Sequence, residues 1–228
     1  MEKLILIPAK KKSKGLKNKN LRKINGKSLV ERVLIESFSS KLTNLIYVSS
    51  DSKKILNIAK KYGAIAINRP KKFCTDKSIA NSVVSHFISV LPKKIVKKNP
   101  WIIYLQPTSP LRKSKHLIEA CKLLIKKKPV VSVYRTQVNL FKGLFEKKNL
   151  IYPLVNDNFL TENRQNLPKT FYPNGAIYIF KLKDFIRRKR QIPISGSIPY
   201  IMSIKDSLDI DNIFDLKILK KIERNEKF

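Results

Sequence analysis

The chain has 228 residues, of which 43% are hydrophobic and 9% aromatic, which suffices for a real core and excludes wholesale disorder. A formal net charge of +33 attracts nucleic acid, anionic lipid or small anions such as nucleotides. Lysines occur in every segment, however, which favours the interpretation that most of them are solvated surface residues. Two distant cysteines argue against structural zinc, and no apolar run approaches the roughly 20 residues of a membrane span, so we expect a cytoplasmic protein without membrane insertion.

Apolar runs typical of strands alternate with amphipathic stretches typical of helices up to about residue 133. The predicted strands cover residues 4–7, 45–48, 64–67, 101–105 and 130–133. Helices are predicted at about residues 28–38 and 81–90, and another helix is predicted to end at Tyr62, because Gly63 is a natural stop. A fourth helix is predicted after Ser114, which can cap it, and its apolar residues Leu117, Ala120, Cys121 and Leu124 share one face. The expected fold is α/β, a Rossmann-like three-layer sandwich with a mainly parallel sheet that binds ligands at the carboxyl ends of its strands.

The alternation lapses at about residues 137–170, where polar and aromatic residues mix. We interpret this segment as an excursion from a single domain that spans residues 1–228. A strand is predicted to resume at 176–180, and an amphipathic helix is predicted after Asp211.

Lysines surround one glycine directly after the first predicted strand, in the segment IPAKKKSKGLKNKN, residues 7–20. A loop between a strand and a helix can aim backbone N–H groups at phosphates, and nearby ammonium groups add charge. The segment matches neither GxxxxGK[ST] nor GxGxxG. Taken alone, it fits a basic surface loop at least as well as a phosphate site.

A second stretch, LQPTSPLR at residues 105–112, follows the clearest predicted strand. Its two prolines fix the backbone where a ligand-binding loop is expected. Hydrogen-bonding groups come from Gln106, Thr108, Ser109 and Arg112. By itself the stretch fits a rigid turn with a helix cap slightly better than a binding loop.

A third stretch is SLDIDN, residues 207–212. In extended backbone alternate side chains point the same way, so Asp209 and Asp211 project together. A divalent cation relieves the repulsion between two such carboxylates, and Mg²⁺ typically takes one or two carboxylates plus phosphate oxygens. The alternative is that Asp211 caps the last helix, which is compatible with metal binding.

A fourth stretch, YPNGAIYIF at residues 172–180, places Asn174-Gly175 before a strand, where Asn-Gly is usually a turn. Together the four stretches, in this order, resemble the acylneuraminate cytidylyltransferases, which are CMP-sialic acid synthetases and relatives acting on similar nine-carbon acid sugars. The resemblance covers nearly the whole chain. It implies that the anomeric hydroxyl of a nonulosonic acid attacks the α-phosphate of CTP, giving a CMP-sugar for a surface glycan and pyrophosphate, with Mg²⁺ required.

The resemblance also implies roles for individual residues. Catalysis is expected from Lys10, Lys14 and Asp209, with Asp209 and Asp211 as the metal ligands. Nucleotide contacts are expected from Ala9, Ser13, Lys19, Asn20, Arg69 and Ser78, and sugar contacts from Gln106, Asn174 and Arg164. Arg164 is expected to act from a partner subunit, because the excursion matches the family's dimerisation lobe and predicts a homodimer.

One departure from the family concerns the first stretch, where Lys10, Lys11 and Lys12 replace Arg-Gly-Gly. Lysine keeps the charge but lacks the planar fork of arginine, and losing both glycines removes easy access to positive φ, so we expect altered loop geometry. Two alternatives stay open: a basic nucleic-acid-binding protein, which leaves the second and third stretches without a role, and a related nucleotidyltransferase for another sugar or nucleotide.

Overall fold

The computed structural model of the chain describes residues 1–13, 15–74 and 80–224. Helices and strands alternate along it. The strands are β1 Lys3–Pro8, β2 Lys23–Ile24, β3 Lys27–Ser28, β4 Ile46–Ser50, β5 Ile65–Asn68, β6 Trp101–Tyr104, β7 Val130–Arg135, β8 Leu144–Lys147, β9 Leu150–Pro153, β10 Phe171–Lys181 and β11 Ile198–Ile201. The α-helices are α1 Leu29–Ser39, α2 Lys53–Lys61, α3 Ala80–Val90, α4 Lys93–Lys97, α5 Ser114–Lys122, α6 Asn158–Thr161, α7 Leu182–Arg187 and α8 Ile213–Glu223.

Seven strands form one sheet in the order β11-β7-β10-β6-β1-β4-β5. β1 pairs in parallel with β4 on one side and with β6 on the other, and β4 pairs in parallel with β5. β10 is antiparallel to both β6 and β7, whereas β11 is parallel to β7. All strands of this sheet except β10 therefore run in one direction, which confirms the mainly parallel sheet. The chain crosses from one side of β1 to the other between β5 and β6, so the switch point lies at β1 and β6.

Helices cover both faces of the sheet, which confirms the three-layer sandwich. On one face α1, α2 and α5 pack against the strands through Leu34, Ile55 and Leu117. On the other face α3 and α7 contribute Phe87 and Phe185. Alternate residues of the central strands β1, β4 and β6 enter the two clusters, so these strands are buried from both sides.

A smaller apolar cluster joins the lysine-rich loop to the C-terminal helix. Leu16 of that loop packs with Ile210 and with Leu216 and Leu219 of α8. Ile210 is fully buried, and burying such a side chain stabilises the fold by about 1.5–3 kcal/mol. The segment that carries Asp209 and Asp211 is thereby held against the loop that follows β1.

Two of the expected helix caps differ from the structure. Lys113 occupies the N-cap of α5, so Ser114 is the first helical residue and not the cap. At α8 the side-chain oxygen of Asn212 accepts from the backbone N–H groups of Phe214 and Asp215 at 2.8 and 3.1 Å. The alternative in which Asp211 caps this helix is therefore excluded, and its carboxylate stays available for another contact.

The Asn174-Gly175 pair also differs from its expected role as a turn. β10 begins earlier, at Phe171, and runs through the pair to Lys181. The register of β10 against β7 shifts between Pro173 and Tyr178, so the pair lies at an irregularity inside the strand. Gly175 has φ +74°, a conformation that favours glycine and that a bulge requires as much as a turn does.

The segment predicted to leave the sheet forms a small lobe, residues 137–170. At its base the backbone N–H of Thr136 donates to the carbonyl of Thr170 at 3.2 Å, next to the resumed pairing of β10 with β7. The lobe contains the antiparallel hairpin of β8 and β9 and the short helix α6. None of the helices in the described part of the chain is long and apolar enough to cross a membrane.

Candidate active site

A cavity of about 480 Å³ opens at the carboxyl ends of β1 and β6, where the sheet topology switches. This is the position expected for a ligand in an open parallel sheet. Its walls come from the loops after β1, β5 and β6 and from the segment before α8. The lining residues are Pro8, Lys10, Ser13, Gly15, Lys19, Asn20, Arg69, Phe73, Ala80, Val83, Tyr104, Gln106, Pro107, Thr108, Asp209 and Asp211.

The lysine-rich loop forms the cationic wall of the cavity. Lys10 and Lys19 line it together with Ser13. Asn20 is buried, and its side-chain amide donates to the carbonyl of Lys10 at 2.9 Å, which fixes the start of the loop relative to its end. Lys19 Nζ lies 2.8 Å from Asp211 Oδ1. The loop therefore contacts the carboxylate segment across the mouth of the cavity.

The loop reaches this geometry without the glycines of the related family. Among its described residues only Asn18 has a positive φ, of 56°, and asparagine tolerates that conformation better than most residues. Lys11 and Lys12 keep negative φ, so the expected loss of positive φ at these positions does not impede this loop.

One glycine of the loop is nevertheless required by close contact. A Cβ on Gly15 would overlap the backbone oxygen of Asp211. The backbone of the loop and that of the carboxylate segment thus touch, beside the apolar contact of Leu16 with Ile210.

Arg69 forms the opposite end of the cavity together with Phe73 and Tyr104. Only 3% of Arg69 is exposed, yet its Nε and Nη2 have no hydrogen-bond partner among the described residues. Buried guanidinium nitrogens without a partner are costly unless a ligand satisfies them. Burial raises the pKa of Tyr104, so this phenol is neutral, and its ring forms an apolar wall beside Arg69.

Asp209 lies on the side of the cavity next to Thr108. Its Oδ1 is buried and has no hydrogen-bond partner within residues 1–13, 15–74 and 80–224, and the side chain of Thr108 contacts the carboxylate. Ile210 N–H donates to the carbonyl of Thr108 at 2.8 Å, so two bonds tie this segment to the loop after β6. Burial, and then the charges of Asp211 and Asp215, raise the pKa of Asp209. An extra positive charge at this position would be favourable.

The loop after β6 holds Gln106 at the cavity and is anchored from behind. Arg112 is buried, and its Nη1 donates to the carbonyls of Gln106 and Ala176 at 2.9 and 3.0 Å. Burial lowers the pKa of Arg112 to about 10, which leaves it charged at neutral pH. A Cβ on Gly175 would overlap Oε1 of Gln106, so the irregularity in β10 makes room for this side chain.

Several expected site residues lie elsewhere or outside the described chain. Asn174 does not line the cavity: its Oδ1 accepts from Ser132 Oγ and from the N–H of Ala176, and its Nδ2 donates to Ser207 Oγ at 2.9 Å. This buried network gives Asn174 a structural role, and its sugar contact stays a prediction. Arg164 is exposed on the lobe and is not part of this chain's cavity wall. Lys14 and Ser78 lie outside the described residues.

Ala9 differs from the other expected nucleotide contacts because its side chain belongs to the hydrophobic core. Its N–H donates to the carbonyl of Ser49 at 2.9 Å, which continues the pairing of β1 with β4. Ala9 thus shapes the start of the loop but does not line the cavity.

Sequence reasoning missed several cavity residues as site residues, among them Tyr104, Phe73 and Thr108. Tyr104 ends a buried apolar strand, so its pattern indicated core. Phe73 follows the Asn-Arg-Pro stretch without a motif of its own. Thr108 was noted as a hydrogen-bonding group, and its position after β6 was the available signal.

The two histidines lie in helices, as expected, and neither lines the cavity. His86 packs behind Phe73 with ring centroids 5.2 Å apart, and burial lowers its pKa. His116 accepts through Nδ1 from the N–H of Lys113 at 3.1 Å. Neither imidazole is therefore in reach of a ligand as a general base.

Comparisons with known proteins agree with this geometry. A family model described as cytidylyltransferase matches residues 4–227. The N-acylneuraminate cytidylyltransferase of Escherichia coli O18:K1:H7 is 32% identical over 98% of this chain, which spans only 52% of that relative's length. The CMP-N,N'-diacetyllegionaminic acid synthase of Legionella pneumophila is 30% identical over 96% of this chain and 95% of its own. The fold is similar to that of a CMP:2-keto-3-deoxy-manno-octonic acid synthetase complexed with CTP, with a TM-score of 0.65, 13% identity and 99% coverage of both chains.

Proposed function

We propose that this chain, which belongs to the cytidylyltransferase family, transfers CMP from CTP to the anomeric hydroxyl of a nonulosonic acid and releases pyrophosphate. One observation carries the proposal. In one space of about 480 Å³ the cavity joins a cationic wall, two buried nitrogens of Arg69 and one buried carboxylate oxygen of Asp209, and these three atoms have no hydrogen-bond partner in the described part of the chain. The sugar class follows from the relatives, whose names specify N-acylneuraminate and N,N'-diacetyllegionaminic acid.

The cationic wall suits a triphosphate. Two ammonium groups and a hydroxyl surround one space, and they belong to Lys10, Lys19 and Ser13. Lys14, in the same stretch of sequence, is expected to add a further charge. Transfer of a nucleotidyl group needs little covalent help from the protein. It needs in-line positioning and neutralisation of the charge on the α-phosphate and on the leaving pyrophosphate.

The Arg69 end suits the cytosine base and its ribose. The unpartnered Nε and Nη2 of Arg69 can donate to acceptor oxygens, while Phe73 and Tyr104 provide apolar surface beside them. Ser78, which lies outside the described residues, is a further nucleotide contact that the family resemblance implies. A site that holds unpaired donors discriminates against a base whose matching edge also carries donors.

The carboxylates suit Mg²⁺, because a hard cation takes carboxylate and phosphate oxygens. Asp209 Oδ1 is the unpartnered oxygen at this place, and Asp211 is the second ligand in the proposal. Bound there, Mg²⁺ would supply positive charge to the phosphate oxygens. Thr108 fixes the orientation of the Asp209 carboxylate, and Lys19 competes for Asp211 until the phosphates draw the lysine away.

The sugar site lies beside Gln106 in the proposal, at the side of the cavity that faces β10. The sugar's anomeric hydroxyl attacks the α-phosphorus, the bond from that phosphorus to the bridging oxygen breaks, and pyrophosphate leaves. The product would serve the synthesis of a surface glycan, in the cytoplasm where CTP is available.

Pyrophosphate release with different nucleotides tests the proposal. With N-acetylneuraminic, N,N'-diacetyllegionaminic and pseudaminic acids as a panel, we expect turnover with CTP and Mg²⁺ and none with ATP or GTP. The reason is that the unpartnered Arg69 end is built for one base. Equal rates with all nucleotides would contradict the assignment, and so would no turnover with any sugar of the panel.

A homodimer is the second expectation of the proposal. The lobe exposes apolar side chains whose burial needs a partner, among them Ile151 at 70% and Leu150 at 60% exposure. We propose that a second copy covers them and that Arg164 reaches the partner's sugar site. Light scattering at micromolar concentration should give twice the chain mass of 26.4 kDa. A monomer would contradict both the dimer and the action of Arg164 across subunits.

A further inference from the structure

Asp51 holds the lysine-rich loop by a bond outside the cavity. Asp51 directly follows β4, and its Oδ1 accepts from the backbone N–H of Lys11 at 2.7 Å. Two residues earlier in the loop, Ala9 N–H donates to the carbonyl of Ser49 at 2.9 Å. The Asp51 carboxylate therefore continues the β1–β4 pairing with a side chain, at the point where the backbone of the loop leaves the sheet.

The same carboxylate lies next to the Arg69 end of the cavity. Arg69 N–H donates to the carbonyl of Ser50, the residue before Asp51, at 2.8 Å. The Cys74 thiol interacts with the Asp51 side chain, and the pKa of this thiol is raised first by burial and also by that carboxylate. Asp51 thus contacts both the loop that carries Lys10 and the segment from Arg69 to Cys74.

The charge of Asp51 does not point into the cavity. Asp51 is not among the described residues that line it, whereas Asp209 and Asp211 are. A carboxylate on the cavity wall would repel a triphosphate, but one that accepts a backbone N–H from behind fixes the loop without that cost. A hydrogen bond to a charged acceptor is about twice as strong as a neutral one, so this contact is a strong constraint on a loop without glycine at 11 or 12.

We propose that Asp51 is a positioning residue that holds the lysine-rich loop, and with it Lys10 and Ser13, in the conformation that receives the triphosphate. The inference rests on the proposed function for the identity of the ligand. The contact itself does not depend on it. Loss of the contact releases the backbone of the loop at Lys11 and leaves the sheet intact.

Two variants at this position separate a hydrogen bond from a charge. Asp51→Ala removes the acceptor, and Asp51→Asn keeps Oδ1 as an acceptor without the charge. We expect Asp51→Ala to raise the KM for CTP about tenfold with a smaller change in kcat, since a bond to a charged group corresponds to about that factor in binding. We expect Asp51→Asn to stay within about threefold of the unchanged chain. Asp184→Ala is the control and should not change KM, because Asp184 lies on α7, next to the amino end of β6, and pairs with Arg187 of its own helix.

Limited digestion with a lysine-specific protease gives a readout that needs no substrate. Cleavage at residues 10–12, identified by mass spectrometry, should be slow in the unchanged chain and in Asp51→Asn and about tenfold faster in Asp51→Ala. If cleavage speeds up in Asp51→Ala but neither the unchanged chain nor any variant turns over CTP, the positioning role of Asp51 is supported and the proposed function fails. Unchanged cleavage and unchanged KM in a folded Asp51→Ala would overturn the inference. It would also be overturned if Asp51→Asn changed KM and the cleavage rate as much as Asp51→Ala does.

Discussion

Asp209→Asn is expected to lower kcat/KM by about 100- to 1000-fold while the fold is kept. The cause is the unpartnered Oδ1, since a neutral amide is a poorer ligand for a hard cation than a carboxylate of nearly the same shape. Stability should not fall. Because the pKa of Asp209 is raised in the folded state, the ionised form opposes folding as the pH rises above its unfolded value, and the neutral amide removes that cost at neutral pH.

The measurement is kcat/KM over a Mg²⁺ titration, with circular dichroism melting to follow stability. Asp184→Asn is the matched control, because Asp184 makes an ion pair with Arg187 and lies away from the cavity. A value for Asp209→Asn within about threefold of the unchanged chain at every Mg²⁺ concentration would contradict the metal assignment. An equal loss in both aspartate variants would show that the effect is not specific to the site.

Gly15→Ala is expected to lower kcat/KM by about 100-fold, through a contact between two backbones. The added methyl group overlaps the backbone oxygen of Asp211, which cannot rotate away as a side chain can. The lysine-rich loop or the carboxylate segment must shift, and the distance between the phosphate contacts and the proposed metal ligands changes. A displacement of about 1 Å at such a site costs on the order of 100-fold in rate.

Gly196→Ala is the control for this substitution. Gly196 has φ +77° and open space around its Cα, so alanine there meets backbone strain but no clash. It should cost stability of about 1 kcal/mol and leave kcat/KM unchanged. The melting temperatures of both variants and their kinetics with CTP separate strain from misplacement. If Gly15→Ala keeps full activity, the lysine-rich loop and the carboxylate segment do not need a fixed separation for catalysis.

The sheet was predictable because its strands are buried on both faces. Runs such as the one at residues 101–105 need no partner to be recognised, and their alternation with amphipathic helices indicates parallel pairing. These apolar runs do not indicate the order of the strands in the sheet. β11, at residues 198–201, was missed because Pro199 interrupts its short apolar run and half of its residues are exposed at the sheet edge.

Local signals failed where two residues compete for one role. Asp211 and Asn212 are both good N-cap residues, and only the fold shows that Asn212 takes the cap. Asn174-Gly175 fits a hairpin turn or a bulge equally well by conformation. What decides is that β10 pairs with β7 both before and after the Asn-Gly pair, and with β6 after it, which is a long-range property.

The candidate site was predicted by resemblance more than by local chemistry. One cavity brings together Lys10, Lys19, Arg69 and Gln106, as the resemblance implies. Each stretch alone also fitted an interpretation without a binding function. Contacts that hold the site in place were invisible in the sequence. The bond from Lys11 to Asp51 joins residues 40 positions apart in different loops, and no spacing rule indicates it.

The ion pair between Lys19 and Asp211 joins residues 192 positions apart, and this has a consequence for a chain that is still being made. Synthesis proceeds from the N-terminus, so β1 and its lysine-rich loop leave the ribosome before β6 and before the segment that supplies both carboxylates. A nascent polypeptide therefore carries the cations of the cavity long before their counter-charges, and the walls of the cavity are complete only after the segment before α8 has been synthesised.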